Sequence, residues 1–225
     1  MLLSGGQIRT AVEQREIIID PYDEGCVQPA SYDLRVGPEA YTSTGRERVD
    51  LVTKGLVVLE PGDFAMVVSE EHIELDMIHA GRFGLRSVFA RKGIFAAVGP
   101  QIDPGFKGRL LVGLINLSPN PTILTYKDHF VTVEFHRLNE PVTKPYCGPY
   151  QGRDTITSHD IEHLLQAKGM VYSEVLQTLS SLNKTVAVVA QKLDRLDVSI
   201  SSLKWFIGAS IALFAVLVGL VAIIK

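Results

Sequence analysis

The residues best suited to chemistry fall in three short strings. In Arg86-Ser87-Val88-Phe89-Ala90-Arg91, two guanidinium groups and a hydroxyl share one segment. Guanidinium forks match phosphate oxygens, so this segment can grip an anion; surface ion pairing is the plainer use of the same residues. In Ile102-Asp103-Pro104-Gly105-Phe106, a carboxylate opens a tight turn. Asp103 can there orient a water or accept a sugar hydroxyl, or merely cap the turn while Phe106 packs in the core. In Tyr150-Gln151-Gly152-Arg153, a phenol, an amide and a cation follow one another. Other chemistry is thin. The 6 histidines are scattered, and only His159 and His163 share a helix face, with no third ligand nearby to suggest zinc. Cys26 and Cys147 form neither a disulfide framework nor a metal site and are expected as packed thiols in a reducing compartment. A formal net charge of -3 gives no electrostatic footprint for nucleic acid.

Positioning these groups falls to a β-rich region. From about 28 to 137, short β-branched and aromatic runs alternate with Gly, Pro, Asn and Asp turns, which predicts a mainly β fold, an antiparallel barrel or jelly roll. A helix is expected at the start of the chain, with Ser4 and Gln7 as its capping box. A second follows the barrel, where Thr157 and Asp160 have capping-box spacing and Ile156 and Ile161 suit a hydrophobic staple. Gly169 is the expected break after it.

Beyond this the pattern becomes helical. Leu179, Val186, Leu193 and Ile200 occupy a positions, and Val175, Leu182, Val189, Leu196 and Leu203 occupy d positions, the seam of a coiled coil. Residues 206–224 then run without a charge, amide or histidine. As a helix they would be about 28 Å long, close to the ~30 Å hydrocarbon core of a bilayer. Lys204, Trp205 and Lys225 flank the run as interfacial residues do. The N-terminus carries no signal-peptide pattern, and the basic residues Lys192, Arg195 and Lys204 lie before the apolar run. These features predict a single-pass C-terminal anchor in a lipid membrane, with the N-terminal domain in the cytoplasm. The expected organisation is a globular domain over 1–153, a connecting helix over 154–170, a coiled-coil stalk over 171–204 and a transmembrane anchor over 205–225.

The strings LSGGQIRTAVEQREIIIDPYDE, QPASYDLRVG, RSVFARKGI, IDPGFKG and PYCGPYQGR occur in this order over residues 1–153. Together they resemble the dCTP deaminase branch of the dUTPase-like family. The resemblance implies a homotrimer with sites between subunits that bind deoxypyrimidine triphosphates, with Mg2+ on the phosphates. It implies Arg86, Ser87 and Arg91 as the phosphate grip, Asp103 as the residue that positions water, and Phe106 as the aromatic under the deoxyribose. It further implies that the backbone of Ala97 and Val98 reads the base edge. Tyr150, Gln151 and Arg153 belong to the segment that closes over the phosphates.

This chain also departs from that pattern. The deaminases carry a glutamate on the strand after the IDPGF turn, and the matching position is Gly113, among Leu111, Val112, Leu114 and Ile115. None of these can move a proton, so deaminase activity is expected to be absent. Val88 stands for a second serine, Pro149 for a lysine and Arg153 for a glutamine, and Val131-Thr132 lies where a glutamine is usual. The resemblance and its departures fit a membrane-tethered dUTP-type diphosphatase. They also fit a catalytically inactive nucleotide sensor signalling through the stalk, for example in phage defence; a purely scaffolding trimer ranks last.

Overall fold

The computed structural model describes residues 1–166 and, further on, the helical residues 178–179, 181–189 and 191–192. The chain divides into two compact units, Met1–Glu174 and Val175–Lys225.

The first unit opens with α1 (Gly5–Glu13). Ser4 caps it: the Gln7 backbone N–H donates to the Ser4 hydroxyl, and the Gln7 amide oxygen accepts from the Ser4 backbone, the expected capping box. Ile8 and Ala11 face inward, and the helix stops where Arg15 takes a left-handed φ of 59°. Strands β1 (Ile17–Asp20), β2 (Val27–Gln28), β3 (Ser31–Thr42) and β4 (Arg48–Asp50) lead into the short helix α2 (Leu51–Lys54). Then come β5 (Leu56–Leu59), β6 (Phe64–Leu75) and β7 (His79–Leu85), followed by the one-turn helix α3 (Ser87–Ala90). Strands β8 (Ile94–Ala96), β9 (Gln101–Ile102), β10 (Lys107–Asn116), β11 (Thr122–Thr125) and β12 (His129–Arg137) complete the β region, and α4 (Ser158–Gln166) follows.

Every strand pairing is antiparallel. The main sheet runs β8-β10-β6-β3-β12-β7-β9, with β1 added to β6 and β2 and β4 added to β3, while β11 and β5 form a separate pair. The sheet curls into an antiparallel half-barrel. Its core is drawn from alternating positions, so that Tyr32, Leu34 and Val36 of β3 and Val133 and Phe135 of β12 are fully buried. Buried Asp63 ties the β3–β4 loop to the turn before β6, accepting from the Ser43 and Thr44 hydroxyls at 2.7 Å each and from the Thr44 N–H at 2.9 Å. That turn sets the position of Phe64.

The capping box and staple expected for α4 are both present. The Asp160 carboxylate accepts from the Thr157 N–H at 2.8 Å, the Asp160 N–H donates to the Thr157 hydroxyl at 3.3 Å, and fully buried Ile156 joins a cluster on which Ile161 packs. The helix therefore docks on the β-barrel unit through its own first turn. Cys26 is buried, but Cys147 is exposed, which corrects the expectation of two packed thiols: it sits in the irregular segment after β12, where no strand covers it.

In the second unit, the described residues between 178 and 192 are helical, and Leu179, Leu182, Val186 and Val189 are each about half exposed. Among the described residues no helix is long and apolar enough to cross a membrane. The predicted anchor over 205–225, most of the 171–204 stalk and Gly169 lie outside the described residues.

Candidate functional site

A cavity of about 400 Å³ opens between β6, β10 and the segments that flank β9. The turn from Asp103 to Phe106 forms one side. The Phe106 N–H donates to the Asp103 carbonyl at 3.1 Å, and the Asp103 carboxylate accepts from the Gln101 side chain at 2.5 Å. Gly105 takes φ 80°, and a Cβ there would lie 2.5 Å from Pro145, so the turn admits only glycine. Phe106 is buried under the turn with its ring 5.8 Å from the Tyr146 ring.

The segment after β12 folds back over this turn. The Tyr146 N–H donates to the Pro104 carbonyl at 2.8 Å. The Gln151 amide bridges two points, accepting from the Lys107 N–H at 3.1 Å and donating to the Gly105 carbonyl at 2.9 Å. The Arg109 N–H donates to the Arg153 carbonyl at 2.8 Å, so the end of this segment lies beside the start of β10. Tyr146 and half-exposed Tyr150 line the cavity.

The opposite wall is apolar, from Phe64 and Met66 of β6 and Leu111 and Gly113 of β10. Gly113 stands between Met66, its register partner, and Ala97, whose N–H donates to the Gly113 carbonyl at 2.8 Å. A Cβ at 113 would meet the Ala97 carbonyl oxygen at 2.7 Å and the tip of the Phe64 ring at 3.0 Å. The position at which the resemblance implies a glutamate is thus closed by backbone and an aromatic ring. The Ala97 N–H is thus already bonded within the chain.

The sequence-predicted residues separate into three groups. Ala97, Val98, Asp103, Phe106 and Tyr150 line the cavity. Gln151 and Arg153 lie beside it but bind their own chain. The Arg153 guanidinium donates to both Asp160 oxygens at 2.8 and 2.9 Å and sits over the Tyr150 ring at 5.2 Å. Arg86, Ser87 and Arg91 are not among the residues lining the cavity of this chain. Arg86 Nε lies 3.4 Å from Asp33, a buried carboxylate that also accepts from the Thr132 hydroxyl at 2.6 Å. Asp33 and Thr132 are register partners on β3 and β12, so Thr132 joins a contact across two strands with the carboxylate that faces Arg86.

Several residues here had no clear signal in the sequence. Phe64 and Met66 are not singled out there, and Asp160 reads as a cap only. Burial alone would raise the Asp160 carboxyl, but the bonds from Thr157 and the Arg153 guanidinium outweigh it and hold the group below the usual carboxylate range. At the start of β10, the Lys107 ammonium, 2.7 Å from Glu74, likewise lowers that carboxyl.

Residues 2–138 match the family described as dCTP deaminase-like. The dCTP deaminase of Pyrococcus abyssi is 40% identical over 152 residues, which cover 68% of this chain and 94% of the archaeal protein. A protein of Sulfolobus islandicus rod-shaped virus 1, named as a probable deoxyuridine 5'-triphosphate nucleotidohydrolase, is 30% identical over 158 residues, 70% of this chain and 97% of the viral one. The crystal structure of 2'-deoxycytidine 5'-triphosphate deaminase from Agrobacterium tumefaciens aligns with a TM-score of 0.51 and 23% identity, over 60% of this chain and 47% of that one, a likeness of fold.

Proposed function

The chain belongs to the dCTP deaminase-like family, and from that premise we propose that it binds a deoxypyrimidine triphosphate and cleaves it as a dUTP-type diphosphatase, without deaminating the base. One contrast carries this reading: Asp103 is held in the cavity by Gln101, while the position of the deaminase glutamate is Gly113 with no room for a side chain. A general base for attack on the ring is therefore missing, whereas a carboxylate that can orient and deprotonate water is in place. The name carried by the viral relative supports the same choice.

In this reaction Asp103 holds the water, Phe106 packs beneath the sugar, and Tyr150 and Gln151 cover the phosphates. Arg86, Ser87 and Arg91 hold the phosphates from a second copy of the chain, which accounts for their absence from this chain's cavity lining. The assembly is then a homotrimer. Asp103 is the one carboxylate among the lining residues, a donor set that fits a Mg2+ ion arriving on the phosphates better than a resident ion. When bound, that ion offsets phosphate charge. The 171–204 heptads extend the trimer as a stalk, and 205–225 anchor it in a membrane with the domain in the cytoplasm.

The test is pyrophosphate release from dUTP and Mg2+ by the full chain, with Asp103→Asn as the control. Release that disappears in the variant supports the proposal, and no release from the wild type sinks it. A second reading, an inactive sensor, is favoured by the direct contact from Tyr150 through Arg153 to Asp160 of α4. Its signature is a raised melting temperature with dUTP but no turnover.

A further inference from the structure

Two sides of the cavity meet in one helix. On the wall, Phe64, Met66 and Leu111 line the cavity and also belong to the apolar cluster that buries Ile156, with Ile161 of α4 packed on it. At the mouth, Tyr150 lies under the Arg153 guanidinium, and both oxygens of Asp160 hold that guanidinium. The same Asp160 carboxylate caps the start of α4 by accepting from the Thr157 N–H and hydroxyl. The backbone of Arg153 is pinned to β10 through the Arg109 N–H, so only its side chain has freedom to turn. Asp154, the neighbouring carboxylate, is engaged by His72 at 2.8 Å.

We propose that Arg153 is a shared cation, held by Asp160 when the cavity is empty and drawn to the phosphates when a nucleoside triphosphate enters, so that occupancy loosens the first turn of α4. The proposal rests on the nucleotide-binding reading above. Both Asp160 contacts are made by one nitrogen, Nη1, and a phosphate group that engages the other edge of the guanidinium can draw it away. A triphosphate carries several negative charges near the Tyr150 mouth, against one on Asp160. Once Arg153 leaves, Asp160 keeps its capping bonds but loses its counter-charge, and the first turn of α4 loses one of its ties to the rest of the unit. The linkage is reciprocal: whatever weakens the Asp160 contact strengthens phosphate binding by the same factor. α4 is also the element from which the chain continues towards residues 175–225.

Amide hydrogen exchange on the full chain tests this, with and without α,β-imido-dUTP and Mg2+. Exchange over residues 153–162 should quicken roughly two- to fivefold on nucleotide binding, the range expected when a partly exposed ion pair is lost. Asp160→Asn should exchange at the faster rate without nucleotide and bind α,β-imido-dUTP more tightly by a similar factor. A melting shift that shows the analogue bound, with exchange over 153–162 unchanged or slowed, overturns the shared-cation proposal alone. No melting shift with the analogue overturns the nucleotide reading, and this proposal with it.

Discussion

Asp103 and Gly113 stand within one cavity, and the proposed reaction turns on that pair. Asp103 was legible in the sequence because a carboxylate in an Asp-Pro-Gly turn has a restricted place in a fold. Gly113 was legible as a missing acid, but the closure of its space was not, since Phe64 reaches it from β6, far away along the chain. The close approach of the Ala97 carbonyl makes Gly113→Ala destabilising by about 1–3 kcal/mol, as for other overpacked sites, read as a lower melting temperature. Gly113→Glu should for the same reason fail to produce deamination of dCTP. Arg153 shows the limit of motif reading, because a string names a cation but not its partner. Its partner Asp160 supplies a pH signature. The folded-state value of that carboxyl lies below its unfolded value, so the stability it contributes is complete above the unfolded value and is lost as pH falls through the folded one. The melting-temperature gap between wild type and Asp160→Asn should accordingly be widest near neutrality and close below the usual carboxylate range.

Among the elements, those with a strong local signal were the ones read well. The α1 and α4 caps needed only Ser4 with Gln7 and Thr157 with Asp160 at a fixed spacing, and both formed. The strands came from β-branched runs between turns, while their order in the sheet depends on contacts far apart in sequence, such as β12 between β3 and β7. The docking of α4 on the barrel was the least visible feature, because Ile156 reads equally as a staple and as an anchor to another element. It is fully buried with Tyr41, Met66 and Val68. Ile156→Ala should cost about 2–5 kcal/mol, the usual range for a buried isoleucine. In that variant the 153–166 stretch should be cut by protease well before the strands.

For the whole molecule, the sequence reads as a barrel, a seam and an apolar run, and the proposed tethered trimer is what would join the three. On the described part of the seam, Leu179, Leu182, Val186 and Val189 are each about half exposed on a helix, the apolar stripe that a three-stranded stalk would bury. The detergent-solubilised chain should have three times the protomer mass in light scattering, and Leu182→Asp with Val186→Asp should lower it. The unaltered chain should float with liposomes in a density gradient.

The most direct measurement is chromatographic separation of products after the full chain meets dUTP and dCTP in separate Mg2+ reactions. Expected are dUMP and pyrophosphate from dUTP, both lost in Asp103→Asn, and no uracil nucleotide from dCTP. Uracil nucleotides formed from dCTP, or dUTP recovered intact, would contradict a diphosphatase that has given up deamination.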